Sequence, residues 1–228
     1  MRAICSISRL RRMDEHPNLR EYRLEYQKHI LLESGAEINP FDQFSSWLKE
    51  AEQLTLSDYN AFSLSTIGSN GYPHSRIVLL RSFDRSGFIF YTNYKSAKAS
   101  ELEFSDKVCM NFFWAALERQ VRIYGAARKI SNEESEAYFA SRPRENQIAA
   151  WASPQSTEVR SRKELDDQVE LFTTKFEGGP VPKPEYWGGY RIVPHYFEFW
   201  QGRPSRMHDR LVYKVDADFE WFIHRLAP

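Results

Sequence analysis

Three side chains that carry charge or protons, Arg206, His208 and Arg210, stand two residues apart in the run Arg206-Met207-His208-Asp209-Arg210. On an extended chain they share one face, because a strand sends alternate side chains to opposite sides. Facing a pocket, that row reads anions; facing water, it is an ordinary polar surface. Trp200, just upstream in Phe199-Trp200-Gln201-Gly202, adds a large ring able to cover a planar ligand.

A second basic set needs the same explanation. His74 to Arg81 places Arg76 and Arg81 at the two ends of an apolar run. On one continuous strand their odd separation sends them to opposite faces, each reaching a different anion or snorkelling to water. Tyr91-Thr92-Asn93 closes another β-like run, and Lys98 follows where a helix starts, so that backbone N–H groups and an ammonium could jointly hold a phosphate. Gln120, between Arg119 and Arg122, could read the edge of a heterocycle or lie on a solvated strand face. Tyr138, Arg142 and Asn146 are four apart, which aligns them along one helix side provided Pro143 does not displace them. A tyrosine, an arginine and an amide converging on one point suit a phosphate.

The elements that must position these residues can be traced along the chain. Asn39-Pro40 is an N-cap followed by proline at the first helical position, and Phe41, Phe44, Trp47, Leu48 and Ala51 then recur at helical spacing. From Ala61 the pattern turns β-like: Ala61 to Ile67, His74 to Phe83 and Phe88 to Asn93, with turns at Ser69-Asn70-Gly71 and Asp84 to Gly87, predict an antiparallel meander. A short helix is expected over Ala97 to Phe104, then strands over Val108 to Ala115 and Arg119 to Ile130. Ser131 and Glu134 form a capping box that opens a helix through Ala140, and further helical stretches are expected near Gln147 to Trp151 and over Ser161 to Phe176. Gly178 to Gly189 reads as a loop, and Tyr190 to Trp200, Met207 to Val215 and Phe219 to Arg225 as closing strands. Strands joined by short turns, with helices inserted rather than alternating, predict a mainly β fold: an antiparallel barrel with peripheral helices.

Composition narrows the chemistry. In 228 residues, 31 basic and 31 acidic side chains balance, which argues against a nucleic-acid binder working by bulk charge, so any anion site is local. Cys5 and Cys109 match neither a zinc spacing nor a disulfide framework, and point to a reducing, cytoplasmic setting. No metal site is expected. No apolar run approaches the ~20 residues that span a bilayer. Residues 1–22, with Arg2, Arg9, Arg11 and Arg12 before the first acid, read as a flexible basic segment, mitochondrial targeting being the alternative. Without a Gly-x-Gly-x-x-Gly or Walker loop, a nucleotide-like phosphate would have to be held by side chains.

Arg76-Ile-Val-Leu-Leu, Tyr91-Thr-Asn, Glu118-Arg-Gln, Tyr138-Phe, Ser141-Arg-Pro-Arg, Gln155-Ser156, Trp187-Gly-Gly, Phe199-Trp-Gln-Gly, Arg206 with His208-Asp-Arg210, and Arg225-Leu-Ala-Pro together resemble the pyridoxamine/pyridoxine 5′-phosphate oxidase family over Arg23 to Pro228. The resemblance implies a single FMN-binding split β-barrel domain over 23–228. It implies a homodimer with flavin sites at the interface, and oxidation of pyridoxamine or pyridoxine 5′-phosphate to pyridoxal 5′-phosphate by O2. Carried over by position, Arg76, Lys98, Gln155 and Ser156 would hold the FMN phosphate and ribityl chain. Ile77, Val78, Leu79, Leu80, Tyr91 and Thr92 would lie along the flavin, with Gln120, Trp200 and Arg210 completing its site. Substrate phosphate would fall to Arg81, Tyr138, Arg142 and Asn146, and the pyridine ring to the catalytic pair Arg206 and His208. Arg23 and Tyr26 match an N-terminal segment that closes over substrate.

Three positions depart from the family pattern. Arg81 stands where lysine is usual, Ala97 where arginine often precedes the phosphate-binding lysine, and Asn146 where serine is found. These departures bear on FMN and substrate affinity. Two other readings stay open at this point: a related flavin oxidase for another aromatic substrate, and a non-catalytic FMN or pyridoxal-phosphate binding protein.

Overall fold

The computed structural model describes residues 25–54, 57–216 and 220–228, so the expectations for residues 1–22 and for Arg23 lie outside the described residues. Asn39 accepts the backbone N–H of Phe41 at 3.0 Å, and Pro40 begins helix α1, Pro40–Gln53. Its spacing turns Phe41, Phe44 and Trp47 inward, where their rings meet Phe88, Phe112, Phe197 and Phe199 at centroid distances of 5.0–5.6 Å. This aromatic layer fills the concave side of one antiparallel sheet.

The strands are β1 (Ala61–Ile67), β2 (Pro73–Leu79), β3 (Ser82–Asp84), β4 (Gly87–Asn93), β5 (Lys107–Trp114), β6 (Arg119–Lys129), β7 (Trp187–Gln201), β8 (Asp209–Val215) and β9 (Trp221–Arg225). Helix α2 (Ala97–Phe104) follows β4, while α3 (Asn132–Ser141), α4 (Arg144–Ala152) and α5 (Arg162–Lys175) lie between β6 and β7. Neighbours run β2-β1-β5-β6-β7-β4-β3, with β8 and β9 branching from β7. The branch explains the curl. The first half of β7 pairs β4 over Trp187 to Ile192, its second half pairs β8 over Tyr196 to Gln201, and a register shift against β6 at Tyr124/Gly125 marks the fork. The sheet therefore closes part-way, into a half-barrel.

Four expectations are corrected. His74 to Phe83 is not one strand. The Leu80 N–H still bonds Asn60 O, but the Arg81 N–H bonds Ile89 O, so the chain leaves β1 and joins β4 between these two residues. The meander is accordingly two hairpins, β1-β2 and β3-β4, at opposite ends of the strand order. Trp187-Gly188-Gly189 opens β7 instead of ending a loop. Glycine's low strand propensity hides this, but close packing requires it: a Cβ on Gly188 would come within 2.2 Å of the Tyr94 hydroxyl. Finally, β8 begins only at Asp209. Ser205 and Arg206 lie in a tight turn with φ of 55° and 62°, so Arg206, His208 and Arg210 do not form one strand row.

Candidate functional site

The switch at Leu80-Arg81 opens a cleft of about 710 Å³ between β2, β4, the start of β7 and the helices α2, α3 and α4. It gathers Arg76, Ile77, Val78, Leu79, Arg81, Tyr91, Thr92, Lys98, Tyr138, Arg142, Gln155 and Ser156, along with Ala97 and Trp187. Arg76 and Arg81 line the same cleft rather than opposite faces, because the strand joining them is broken. Leu80 is turned into the core and leaves the cleft to its neighbours.

At one end lies Lys98. It is buried, yet among the described residues it has no ion-pair partner. Its ammonium donates to Thr92 Oγ1 at 3.0 Å, Ser96 Oγ at 3.1 Å and Gln155 Oε1 at 3.1 Å, all neutral acceptors. Burial, and then the charge of Arg76, pull its pKa down to about 8. Arg76 is held by Glu101 at 2.7 Å, by Thr66, and by Leu64 O at 3.3 Å. Burial pushes the Glu101 carboxyl up, but hydrogen bonds from Thr66, His74 and Arg76 outweigh it and hold the group below its usual range. Ser156 takes a left-handed backbone, φ 68°, which a non-glycine residue adopts only at a cost in strain.

At the other end are Arg81, Tyr138 and Arg142. Neither arginine forms an ion pair among the described residues, and Arg142 Nη1 is buried with no hydrogen-bond partner. Burial, together with repulsion from Arg81, lowers the Arg142 pKa. Two separated cationic groups lacking counter-ions are what a ligand with two anionic ends, or two ligands with one each, would complete. Asn146 is not part of this group. Helix α3 stops at Ser141, Arg142 is its C-cap with ψ 149°, and α4 restarts at Arg144, so the expected i, i+4 alignment is lost at Pro143 and Asn146 is exposed outside the cleft.

The remaining candidates form a second cluster. In register, Gln120 pairs Trp200 and Trp200 pairs Arg210, one row across β6, β7 and β8. Arg210 Nε donates to buried Glu198 at 2.9 Å. Trp200 lies 4.6 Å from the His208 ring, and Tyr26 packs edge-on against both rings at 5.7 and 5.9 Å. Gly202 makes room for Tyr26, whose Cγ a Cβ there would meet at 2.7 Å. The His208 Nδ1 accepts the Arg203 N–H at 3.1 Å, so the neutral ring carries its proton on Nε2. Burial and the nearby Arg206 charge lower its pKa, favouring that neutral form. None of these residues lines the cleft of the same chain.

Three contributors carry roles that the sequence did not assign: Glu101 is in none of the motifs, and Trp187 and Glu118 stand in motifs without a role. Glu101 braces Arg76 from 25 positions away, and Trp187 sat in a segment read as loop. Glu118, buried and at φ 56°, accepts the Gln27 and Lys28 backbone N–H groups at 2.9 and 3.1 Å and so holds the segment bearing Tyr26. No local pattern signals pairings of this range.

Comparison with known proteins follows the same lines. The family model described as pyridoxamine 5′-phosphate oxidase matches residues 48–176, and that of the pyridoxine 5′-phosphate oxidase C-terminal dimerisation region matches residues 187–228. The chain belongs to the pyridoxamine 5′-phosphate oxidase family. A relative in this family, the pyridoxine/pyridoxamine 5′-phosphate oxidase of Rippkaea orientalis, is 50% identical over 206 residues, covering 90% of this chain and 97% of its own. Among solved structures, PhzG from Burkholderia lata in complex with tetrahydrophenazine-1-carboxylic acid superposes with TM-score 0.81 at 28% identity, covering 87% of this chain and 98% of its own. A pyridoxamine 5′-phosphate oxidase-related, FMN-binding protein from Nostoc punctiforme shares the fold at TM-score 0.67 and 15% identity, over 84% of this chain and all of its own. The family fold is the split barrel expected from the motifs, and no helix among the described residues is long and apolar enough to cross a membrane.

Proposed function

We propose that this protein is an FMN-dependent oxidase that converts pyridoxamine and pyridoxine 5′-phosphates to pyridoxal 5′-phosphate. The observation that carries the reading is two separated cationic groups in one cleft that lack an ion-pair partner among the described residues, Lys98 at one end, beside the Glu101-braced Arg76, and Arg142 with Arg81 at the other. They fit two phosphates, one on the cofactor and one on the substrate. Lys98, Arg76, Gln155 and Ser156 would hold the FMN phosphate and ribityl chain, and Tyr91, Thr92 and the Ile77 to Leu79 strand would flank its ring. Arg81, Tyr138 and Arg142 would hold the substrate phosphate. When bound, FMN supplies the ring that accepts a hydride equivalent from the substrate, with O2 returning it to the oxidised state and H2O2 as product.

The second cluster completes the site across a homodimer. Gln120, Trp200 and Arg210 of one protomer would meet the cleft of its partner, which agrees with the dimerisation region matched over residues 187–228. Buried polar atoms on this sheet with no hydrogen-bond partner among the described residues, Asn111 Oδ1 and Arg122 Nε, favour a covered face. Arg206 and His208 then orient the pyridine ring. His208, neutral and protonated on Nε2, acts as a hydrogen-bond donor and holds its proton rather than accepting one. The left-handed backbone at Ser205-Arg206 fixes the arginine's approach at a cost in local strain. Residues 23–228 act as one domain in this reading, with cytoplasmic residence.

A second reading draws on the PhzG neighbour, whose bound molecule is a carboxylic acid. Steady-state oxidation separates the two. With FMN-loaded protein, pyridoxine 5′-phosphate should be turned over with a kcat/KM at least about 100-fold above pyridoxine, because phosphate binding positions the reacting carbon. Equal values for the two, or turnover of tetrahydrophenazine-1-carboxylic acid alone, would refute the assignment.

A further inference from the structure

The Arg142 guanidinium is supported in an unusual way. A half-buried arginine ordinarily pairs with a carboxylate. Here its central carbon lies 4.7 Å from the centroid of the buried Trp187 ring and 5.5 Å from that of Phe139, while one of its nitrogens has no hydrogen-bond partner among the described residues. The Trp187 ring is itself fixed. It lies nearly parallel to Tyr91 at 5.2 Å and 7° and to Tyr138 at 6.2 Å and 6°, and Phe139 packs edge-on at 5.0 Å. Its backbone sits in the β4–β7 ladder opposite Asn93.

The difference between the two kinds of support matters for anion binding. A carboxylate would neutralise the arginine and compete with an incoming phosphate. An aromatic face lowers the cost of burying the cation through its quadrupole but leaves the net charge intact. The same ring also restricts where the guanidinium can lie, so less orientational freedom is lost when an anion arrives.

We propose that Trp187 is the positioning residue for Arg142, and that through it the protein discriminates phosphorylated from unphosphorylated substrate. The proposal rests on the oxidase reading above. Trp187 touches neither reacting atom; it acts through Arg142 on ground-state binding of the phosphate.

The test compares Trp187→Phe, which keeps an aromatic face, with Trp187→Met, which is nearer to phenylalanine than to tryptophan in bulk and has no aromatic face. FMN-loaded variants are assayed with pyridoxine 5′-phosphate and with pyridoxine, and FMN affinity is titrated separately. Trp187→Met should raise KM for the phosphate ester by about tenfold, the scale of one desolvated cation–π contact. Its kcat/KM for pyridoxine should fall far less than that for the phosphate ester, any change in FMN affinity passed on through the stacked Tyr91 is read from the separate titration, and Trp187→Phe should recover most of the KM loss. Site-specific fluorination of Trp187, which weakens the negative ring face without changing the packing, should raise the same KM stepwise, even if the methionine variant does not fold. Equal KM changes in the Phe and Met variants, parallel losses on both substrates, or a KM indifferent to fluorination would overturn the role of Trp187. Failure of the parent protein to distinguish the two substrates would instead sink the oxidase reading, and this proposal with it.

Discussion

Lys98 makes the cofactor site sensitive to pH in a direction that can be worked out. Its pKa of about 8 in the ligand-free cleft, against 10.5 for an ordinary lysine, means that the cleft disfavours the ammonium by about 3 kcal/mol. A phosphate dianion placed beside it reverses that preference. Below pH 8 the charged amine is already present, so FMN affinity should be nearly flat from pH 7. Above pH 8 a proton must be taken up on binding, and the Kd should rise toward tenfold per unit, up to about 30-fold between pH 7 and 9.5. The effect on folding has the opposite sign. Between about pH 8 and 10.5 the unfolded chain holds a proton that native apoprotein has released, so this group makes the apoprotein more stable as pH rises. Fluorescence titration of apoprotein with FMN across this range, paired with denaturant unfolding, measures both. Lys98→Met should bind FMN more weakly at neutral pH and should show neither pH trend. A wild-type Kd that does not change from pH 7 to 9.5, or that rises identically in Lys98→Met, would refute the reasoning.

Three further outcomes are expected. Arg206→Ala should lower kcat/KM by about 2–4 kcal/mol of transition-state stabilisation while FMN stays bound, whereas Arg210→Ala, which leaves buried Glu198 one partner short, should weaken FMN retention first; parallel kinetics and FMN titrations distinguish the two. Ala97, exposed in the cleft beside Lys98, is where a charge is missing, and Ala97→Arg should tighten FMN by about 1–2 kcal/mol after solvent screening, with little change in KM. Glu118→Ala removes two charge-assisted bonds to the backbone of Gln27 and Lys28, each about 1.5–3 kcal/mol at most, and should expose the Tyr26 segment to limited proteolysis and raise KM without releasing FMN.

Much of this protein is legible along the chain because its signals are local. The Asn39-Pro40 cap, the Ser131/Glu134 capping box and the alternation of β1 and β6 depend only on residues a few positions apart, and the corresponding elements lie where those patterns put them. The candidate residues read from the sequence likewise include most of those that line the cleft, Ala149, Ala150 and Ser153 being among the exceptions. What sequence could not decide was which strands meet. Whether Arg76 and Arg81 face the same space depended on the exchange of partners at Leu80, from Asn60 O to Ile89 O. Whether Asn146 joins Arg142 depended on the helix break at Pro143, and whether Arg206 continues a strand depended on two left-handed residues in succession. The supports are still less local. Glu101 reaches Arg76 across 25 residues, Glu118 reaches Gln27 across 91, and Trp187 meets Arg142 because the end of α3 packs against β7. Such contacts form because burying a charge demands a partner wherever the fold can bring one, and distance along the chain places no limit on that search.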